Sequence, residues 1–176
     1  MLKIVGKKKL IIILLVELII SGLVLLADLL TKKYVYGFAK ENGYTVLIDG
    51  FISLIAVQNT GASFGIFKQH TFILSIISII ASVIVAALMV FTVKNRNFFL
   101  RFALITIFAG ATGNLADRLA FGYVRDFLNF EFMEFAVFNV ADAALTAGTI
   151  AMVIFIIFFY KPKPSKRELA KSDGKK

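Results

Sequence analysis

The stretch Phe98-Phe99-Leu100-Arg101-Phe102-Ala103-Leu104-Ile105-Thr106-Ile107-Phe108-Ala109-Gly110-Ala111-Thr112-Gly113-Asn114-Leu115-Ala116-Asp117-Arg118 decides the fold. Apart from Arg101 near its start, it is uncharged as far as Ala116, and a bilayer core takes roughly 20 helical residues to cross. Its end is different. Gly113, Asn114, Asp117 and Arg118 recur at helical spacing and share one face. Ionisable groups bordering hydrocarbon are costly unless paired or wetted, so a polar face in this position marks a candidate functional site.

Three further apolar runs of similar length flank it. The spans are expected at about 10–28, 72–93, 98–117 and 140–160 in a chain of 176 residues that is 59% hydrophobic and 18% charged. One membrane-embedded domain, residues 1–160, is expected, followed by a basic cytoplasmic tail, 161–176. The fold class is an all-α membrane protein with four transmembrane helices, a small extracytoplasmic antiparallel β-cradle and a short interfacial helix.

The net charge of +9 does not call for nucleic acid. Lys3, Lys7, Lys8 and Lys9 precede the first span. Lys94, Arg96 and Arg101 flank the turn between the second and third spans, and seven basic residues from Lys161 to Lys176 follow the fourth. All lie on one side of a four-span arrangement, and an excess of Lys and Arg marks the cytoplasmic face. A multi-pass protein of the bacterial cell membrane with both termini cytoplasmic is expected, with 28–70 and 117–139 outside. The Lys-rich start resembles a signal peptide, but no small-x-small cleavage site follows the apolar run, so the first helix is read as retained. Glu17, in its middle, is expected to be protonated or to face a neighbouring helix.

With no cysteine there is no thiol nucleophile and no cysteine-ligated metal, and one histidine, His70, makes a histidine-rich metal site or a Ser-His-Asp triad improbable. No cofactor and no metal are expected. Carboxylate chemistry or a Ser-Lys pair remains.

Along the chain, Asp28 and Lys32 are spaced to pair on one helical face. The segment 44–59 is β-branched and aromatic around Asp49-Gly50, which reads as a two-residue hairpin turn. Asn59, close to Gly61, sits in a run of small residues that permits close backbone approach. Span two, with Ser75, Ser78, Ala81 and Ser82, reads as structural. From Phe127 to Phe138 an aromatic loop is expected at the membrane interface. Asn139 can cap the fourth helix, with Asp142 in its first turn. Asp117 is expected to lock Arg118.

Asp126 and Asp142 are sixteen positions apart, so only a loop folding back over the ends of spans three and four could join them. Two adjoining carboxylates share a proton, and such a pair can draw a proton from water while donating to a scissile carbonyl. Asn114 and Asn139 could orient the carboxylates or the substrate.

Asp28 with Lys32, Asn59-Thr60-Gly61-Ala62-Ser63-Phe64-Gly65, Gly113-Asn114-x-x-Asp117-Arg118, Gly122-Tyr123-Val124-Arg125-Asp126-Phe127 and Phe138-Asn139-Val140-Ala141-Asp142 resemble, in order and spacing, the motifs of bacterial lipoprotein signal peptidase, signal peptidase II. The resemblance covers about residues 20–160. It implies an integral-membrane aspartic endopeptidase that cuts prolipoproteins before a diacylglyceryl-cysteine, with its site at the outer leaflet. Asp126 and Asp142 match the catalytic pair; Asp28, Lys32, Asn59, Gly61, Asn114, Asp117, Arg118 and Asn139 match substrate-binding or supporting positions. The implied partners are the prolipoprotein and membrane lipid; a monomer is expected, with no nucleic acid partner. Leu29, Ser63, Arg125 and Ala136 depart from the family pattern. The alternatives are a proton- or cation-coupled small transporter, a Ser63–Lys32 peptidase and a non-catalytic assembly protein.

Overall fold

The computed structural model describes residues 6–61 and 71–161. Ser63, His70, the short interfacial helix expected near 66–69 and the tail beyond Lys161 lie outside the described residues. Seven elements follow in order: α1 (Lys7–Asn42), β1 (Thr45–Ile48), β2 (Ile52–Asn59), α2 (Thr71–Phe91), α3 (Phe98–Phe121), β3 (Val124–Phe130) and α4 (Val140–Phe158). Each helix is long and apolar enough to span a membrane.

The first helix runs well past its expected end near residue 28, continuing to Asn42 before Gly43, at φ 74°, stops it. Its burial is inverted relative to a soluble helix. Ile11, Ile12, Leu15, Leu18, Ile19, Leu23 and Leu26 are exposed, while Glu17, Ser21, Asp28 and Lys32 are buried. Only lipid can cover so long an apolar face, and the polar stripe at 17, 21, 28 and 32 faces the other helices.

Close backbone approach welds α3 to α4. A Cβ placed on Gly110 would stand 2.5 Å from the Ala141 carbonyl oxygen, and one on Gly113 would stand 2.5 Å from Asp28 Oδ2 and 3.2 Å from Ala141 Cβ. From the α4 side, a Cβ on Gly148 would strike Thr106 Oγ1. Without a hydrophobic drive between helices in lipid, such small-residue contacts supply the packing.

The β-cradle has three strands rather than the expected two, ordered β1-β2-β3 and antiparallel throughout. The third, β3, runs into the start of the segment 127–138 read as an aromatic loop, overlapping it at 127–130. Gly122, at φ 77°, caps α3 and turns the chain directly into β3. The β1-β2 connection is also one residue longer than expected: Ile48 pairs with Ile52 across Asp49-Gly50-Phe51, with Phe51 N–H donating to Ile48 O. Gly50, at φ 65°, takes the left-handed position that a three-residue loop requires.

Beyond β3, Phe51, Phe130, Phe132, Phe135 and Phe138 form one ring cluster with neighbouring centroids 5.0–6.2 Å apart. The Tyr44 hydroxyl bonds Glu131 beside it. Exposed Tyr44, Phe132 and Met133 suit the headgroup level.

Gly110→Ala should lower thermal stability in detergent by about 1–3 kcal/mol, because the new methyl meets backbone rather than a side chain that can swing away. The unfolding midpoint of the purified variant measures it, and an unchanged midpoint would mean that α3 and α4 are not held at this spacing.

Candidate active site

What brings Asp126 and Asp142 together is a backbone clip. The residue before the α4 cap, Phe138, bridges to β3: Phe127 N–H and Leu128 N–H both donate to Phe138 O, and Phe138 N–H donates to Leu128 O. The N-terminus of α4 is thereby laid beside the strand that carries Asp126.

At that N-terminus Asn139 and Asp142 form a reciprocal capping box. Asp142 N–H donates to Asn139 Oδ1 at 2.9 Å, and Asn139 N–H donates to Asp142 Oδ2 at 3.2 Å. The capping anticipated for both residues is present, and the same side chains take part in the site. Asp28 of α1 satisfies a further orphan donor, accepting from Ala141 N–H at 2.8 Å.

Three asparagines surround the carboxylates, and each is fixed at its oxygen. Asn59 Oδ1 accepts from Gly61 N–H, Asn139 Oδ1 from Asp142 N–H, and Asn114 Oδ1 from the Lys32 ammonium at 2.9 Å and from Asn139 Nδ2. A side-chain amide anchored in this way presents its NH2 in one direction only. Asn59 Nδ2 and Asn139 Nδ2 donate to Asp126 Oδ2 and Oδ1 at 2.9 and 2.7 Å, and Asn114 Nδ2 donates to Asp142 Oδ1 at 2.7 Å.

Lys32 is fully buried, with Nζ 2.8 Å from Asp28 Oδ2 and 3.8 Å from Asp117 Oδ2. Asp117 does not lock Arg118, as the sequence had led us to expect. Its partner is Arg125, which binds it in a fork through Nη2 at 2.7 Å and Nε at 3.2 Å, with its backbone N–H adding a third bond. The reason lies in the turn at Gly122, which folds Arg125 back over the last turn of α3 and stacks its guanidinium 4.5 Å from the Phe121 ring centroid. Arg118 instead donates to the Gly61 carbonyl at 3.2 Å, and its buried Nε has no partner among the described residues.

All ten singled-out residues thus belong to one connected set: Asp28, Lys32, Asn59, Gly61, Asn114, Asp117, Arg118, Asp126, Asn139 and Asp142. Sequence reasoning did not foresee the roles of Arg125 and of span two. The sequence offers no signal for the arginine, because its pairing with Asp117 depends on the turn at Gly122. Ser78 and Ala81, read as packing residues, line the cavity beside the set.

That cavity has a volume of about 610 Å³ and is walled mainly by apolar groups, Ile77, Leu145 and Ile150 among them, with Asn59, Asn114, Arg118 and Asp142 at its polar end. Phe130, Phe135 and Phe138 of the aromatic cluster close one side. Asp142 reaches its wall; Asp126 lies one layer deeper, behind Asn59 and Asn139. Burial first, and the neighbouring Asp142 second, push Asp126 up to about 7, although the two amides and Lys32 pull the other way.

Four apolar helices around a buried set of carboxylates and amides, open to an apolar cavity, define a multi-pass membrane protein with an enclosed polar site. A family model described as signal peptidase (SPase) II matches residues 20–158. Lipoprotein signal peptidases of Lactobacillus johnsonii and Clostridium tetani are 37% identical over 141 residues and 35% identical over 144; each alignment covers 80% of this chain, with 91% and 92% of the relatives. A solved bacterial membrane enzyme, determined in meso at 2.3 Å, superposes with a TM-score of 0.74 at 29% identity, over 86% of this chain and 94% of that one. The chain belongs to the signal peptidase II family, and it is a peptidase of the multi-pass membrane class. The transporter alternative finds no support in these relatives.

Replacing Lys32 with Met should destabilise the fold by about 3–5 kcal/mol, because Asp28 would be left as an uncompensated buried charge. The yield of folded protein after detergent extraction, with its unfolding midpoint, checks this. A variant as stable as the parent would show that the ammonium is not what holds the carboxylates.

Proposed function

We propose that the chain is an aspartic endopeptidase that removes the signal peptide from a lipid-modified prolipoprotein, breaking the bond on the N-terminal side of a diacylglyceryl-cysteine. The observation that carries the reading is the Asp126–Asn139–Asp142 arrangement at the polar end of an apolar cavity. The carboxylates come from one chain, so a monomer suffices.

Asp142, on the cavity wall, acts as the base and takes a proton from water as the oxygen attacks the scissile carbonyl. Asp126, pushed up to about 7, keeps a substantial protonated fraction near neutral pH and gives that proton to the carbonyl oxygen. Collapse of the tetrahedral intermediate breaks the C–N bond, with the leaving nitrogen protonated by Asp142 and the oxygen's proton returning to Asp126. Arg118 and Asn59, both at the cavity, orient the substrate backbone. The apolar walls take the signal helix and acyl chains.

Asp126→Asn and Asp142→Asn should each leave a folded protein and reduce cleavage of a lipidated precursor in detergent by about 10³-fold or more, because each removes one half of the acid–base pair. Either variant retaining parental cleavage would remove the dyad. Cleavage should also fall roughly tenfold per pH unit above about 7 as Asp126 releases its proton. A rate that keeps rising from pH 7 to 9 would assign the proton elsewhere.

The basic ends of the helices support a topology with both termini cytoplasmic and the dyad at the outer leaflet. The chain lacks cysteine, so single reporters can be placed cleanly. In intact cells, Leu47→Cys should react with an impermeant maleimide and Lys161→Cys should not; the reverse pattern would invert the topology.

A further inference from the structure

At the opposite end of the bundle, the turn between α2 and α3 and the first turns of α1 enclose a second cavity of about 380 Å³, lined by Lys9, Ile12, Ile13, Val93, Asn95, Arg96 and Arg101. The thirteen residues of α3 from Arg101 to Asn114 put it about 20 Å from the aspartate site. Its charges are unevenly matched. Arg101 is spent within the protein: its Nε and Nη2 bind the Glu17 carboxylate, Nη1 donates to Thr92 Oγ1 at 3.0 Å, and Nη2 also reaches Met89 O at 3.2 Å. This pair forms an electrically neutral floor.

Lys9 and Arg96 are exposed and have no carboxylate partner among the described residues. Glu17, which reaches the cavity through Arg101, is already committed to that arginine. Two cations lining one cavity without a carboxylate favour an anion there. Below them the lining turns apolar at Ile12 and Ile13, and exposed Ile11, Ile12 and Leu15 continue that surface along α1. A ligand with one negative charge and a long apolar remainder matches this order of groups.

We propose that this cavity binds the phosphodiester headgroup of an anionic membrane phospholipid, with Lys9 and Arg96 holding the phosphate, the Asn95 amide available to it, and an acyl chain lying along α1. Basic pockets at the membrane face between helices are suited to such headgroups. A free phosphate would meet the same cations but would leave the apolar lining unused. The site is separate from the aspartates, and its occupancy is read by lipid retention rather than cleavage.

The full chain in neutral detergent is mixed with phosphatidylglycerol or phosphatidylcholine of identical acyl chains, and retained lipid is counted by native mass spectrometry. The parent should retain phosphatidylglycerol on the order of tenfold more strongly, the scale expected of one or two basic side chains at an anionic surface. Lys9→Ala/Arg96→Ala should lose that preference, while Lys7→Ala/Lys8→Ala, with the same change of charge outside the cavity, should keep it. Equal retention of the two lipids by the parent, or equal loss of preference in both double variants, would overturn the site. Displacement of phosphatidylglycerol by millimolar glycerol phosphate would overturn the lipid as its occupant, and resistance to it supports the lipid.

Discussion

The Lys32 ammonium has no water to turn to, and the rest of the structure depends on how it is satisfied. A buried cation must find acceptors inside the protein or give up its charge. Its acceptors are Asp28 one turn earlier on α1, Asn114 on α3 and, more distantly, Asp117 on α3. Asp28 passes the connection to α4 through Ala141 N–H. A single charged group therefore ties three helices at the level where the chemistry is proposed. It also sets an orientation, because Asn114 can offer its NH2 to Asp142 only while its oxygen is held by Lys32.

The same logic governs the carboxylates. Each asparagine around them is committed at one end before it meets a carboxylate at the other, so the donors are aimed without needing to reorganise. Preorganised dipoles in a site shielded from water are worth more than the same groups in solution, since nothing must turn when charge moves. Burial and mutual repulsion raise the cost of a second negative charge, while the amides and Lys32 keep that cost bounded. Such a balance is what the proposed sharing of one proton between the two acids needs.

Much of this was legible in the chain. The four spans follow from apolar length alone, and Asp28 with Lys32 follows from helical spacing. The full inward stripe of α1 could have been read from Glu17, Ser21, Asp28 and Lys32 taken together, since their spacings of four, seven and four residues track one face of a helix. What sequence could not supply were the long-range pairings. The part of β3 from Phe127 to Phe130 looked like loop because its aromatic residues also suit an interface, and its strand character depends on β2 being alongside. Arg125 looked like a mere departure from a family pattern. Its partner Asp117 became visible only once the left-handed Gly122 had turned the chain through the end of α3. Asn139 was legible as a cap and as a group that could orient the carboxylates, but which oxygen of which acid it binds depends on the Phe138 clip to β3.

Helix α1 raises a last physical question, since its outer face meets only lipid and helices in lipid gain little from apolar contact with one another. Its position is set instead at two polar points: Glu17 with Arg101, and Lys32 with Asn114 and Asp117. Fifteen residues of α1 separate Glu17 from Lys32, about 22 Å, and thirteen to sixteen residues of α3 separate their partners, about 20–24 Å. The two ladders match only for helices running in the same direction in one register. Rotation of α1 by a single residue, about 100°, would turn Glu17 from Arg101 toward hydrocarbon, at about 2.5–3.5 kcal/mol for a charge near the bilayer centre, and would take Lys32 from its acceptors. Polar pairs that add little net stability can therefore select one arrangement of the bundle, because a shifted register leaves Glu17 and Lys32 without their partners. The aspartate pair inherits its geometry from that selection: Asp28 and Lys32 can cap α4 and orient Asn114 only in the register that also satisfies Glu17.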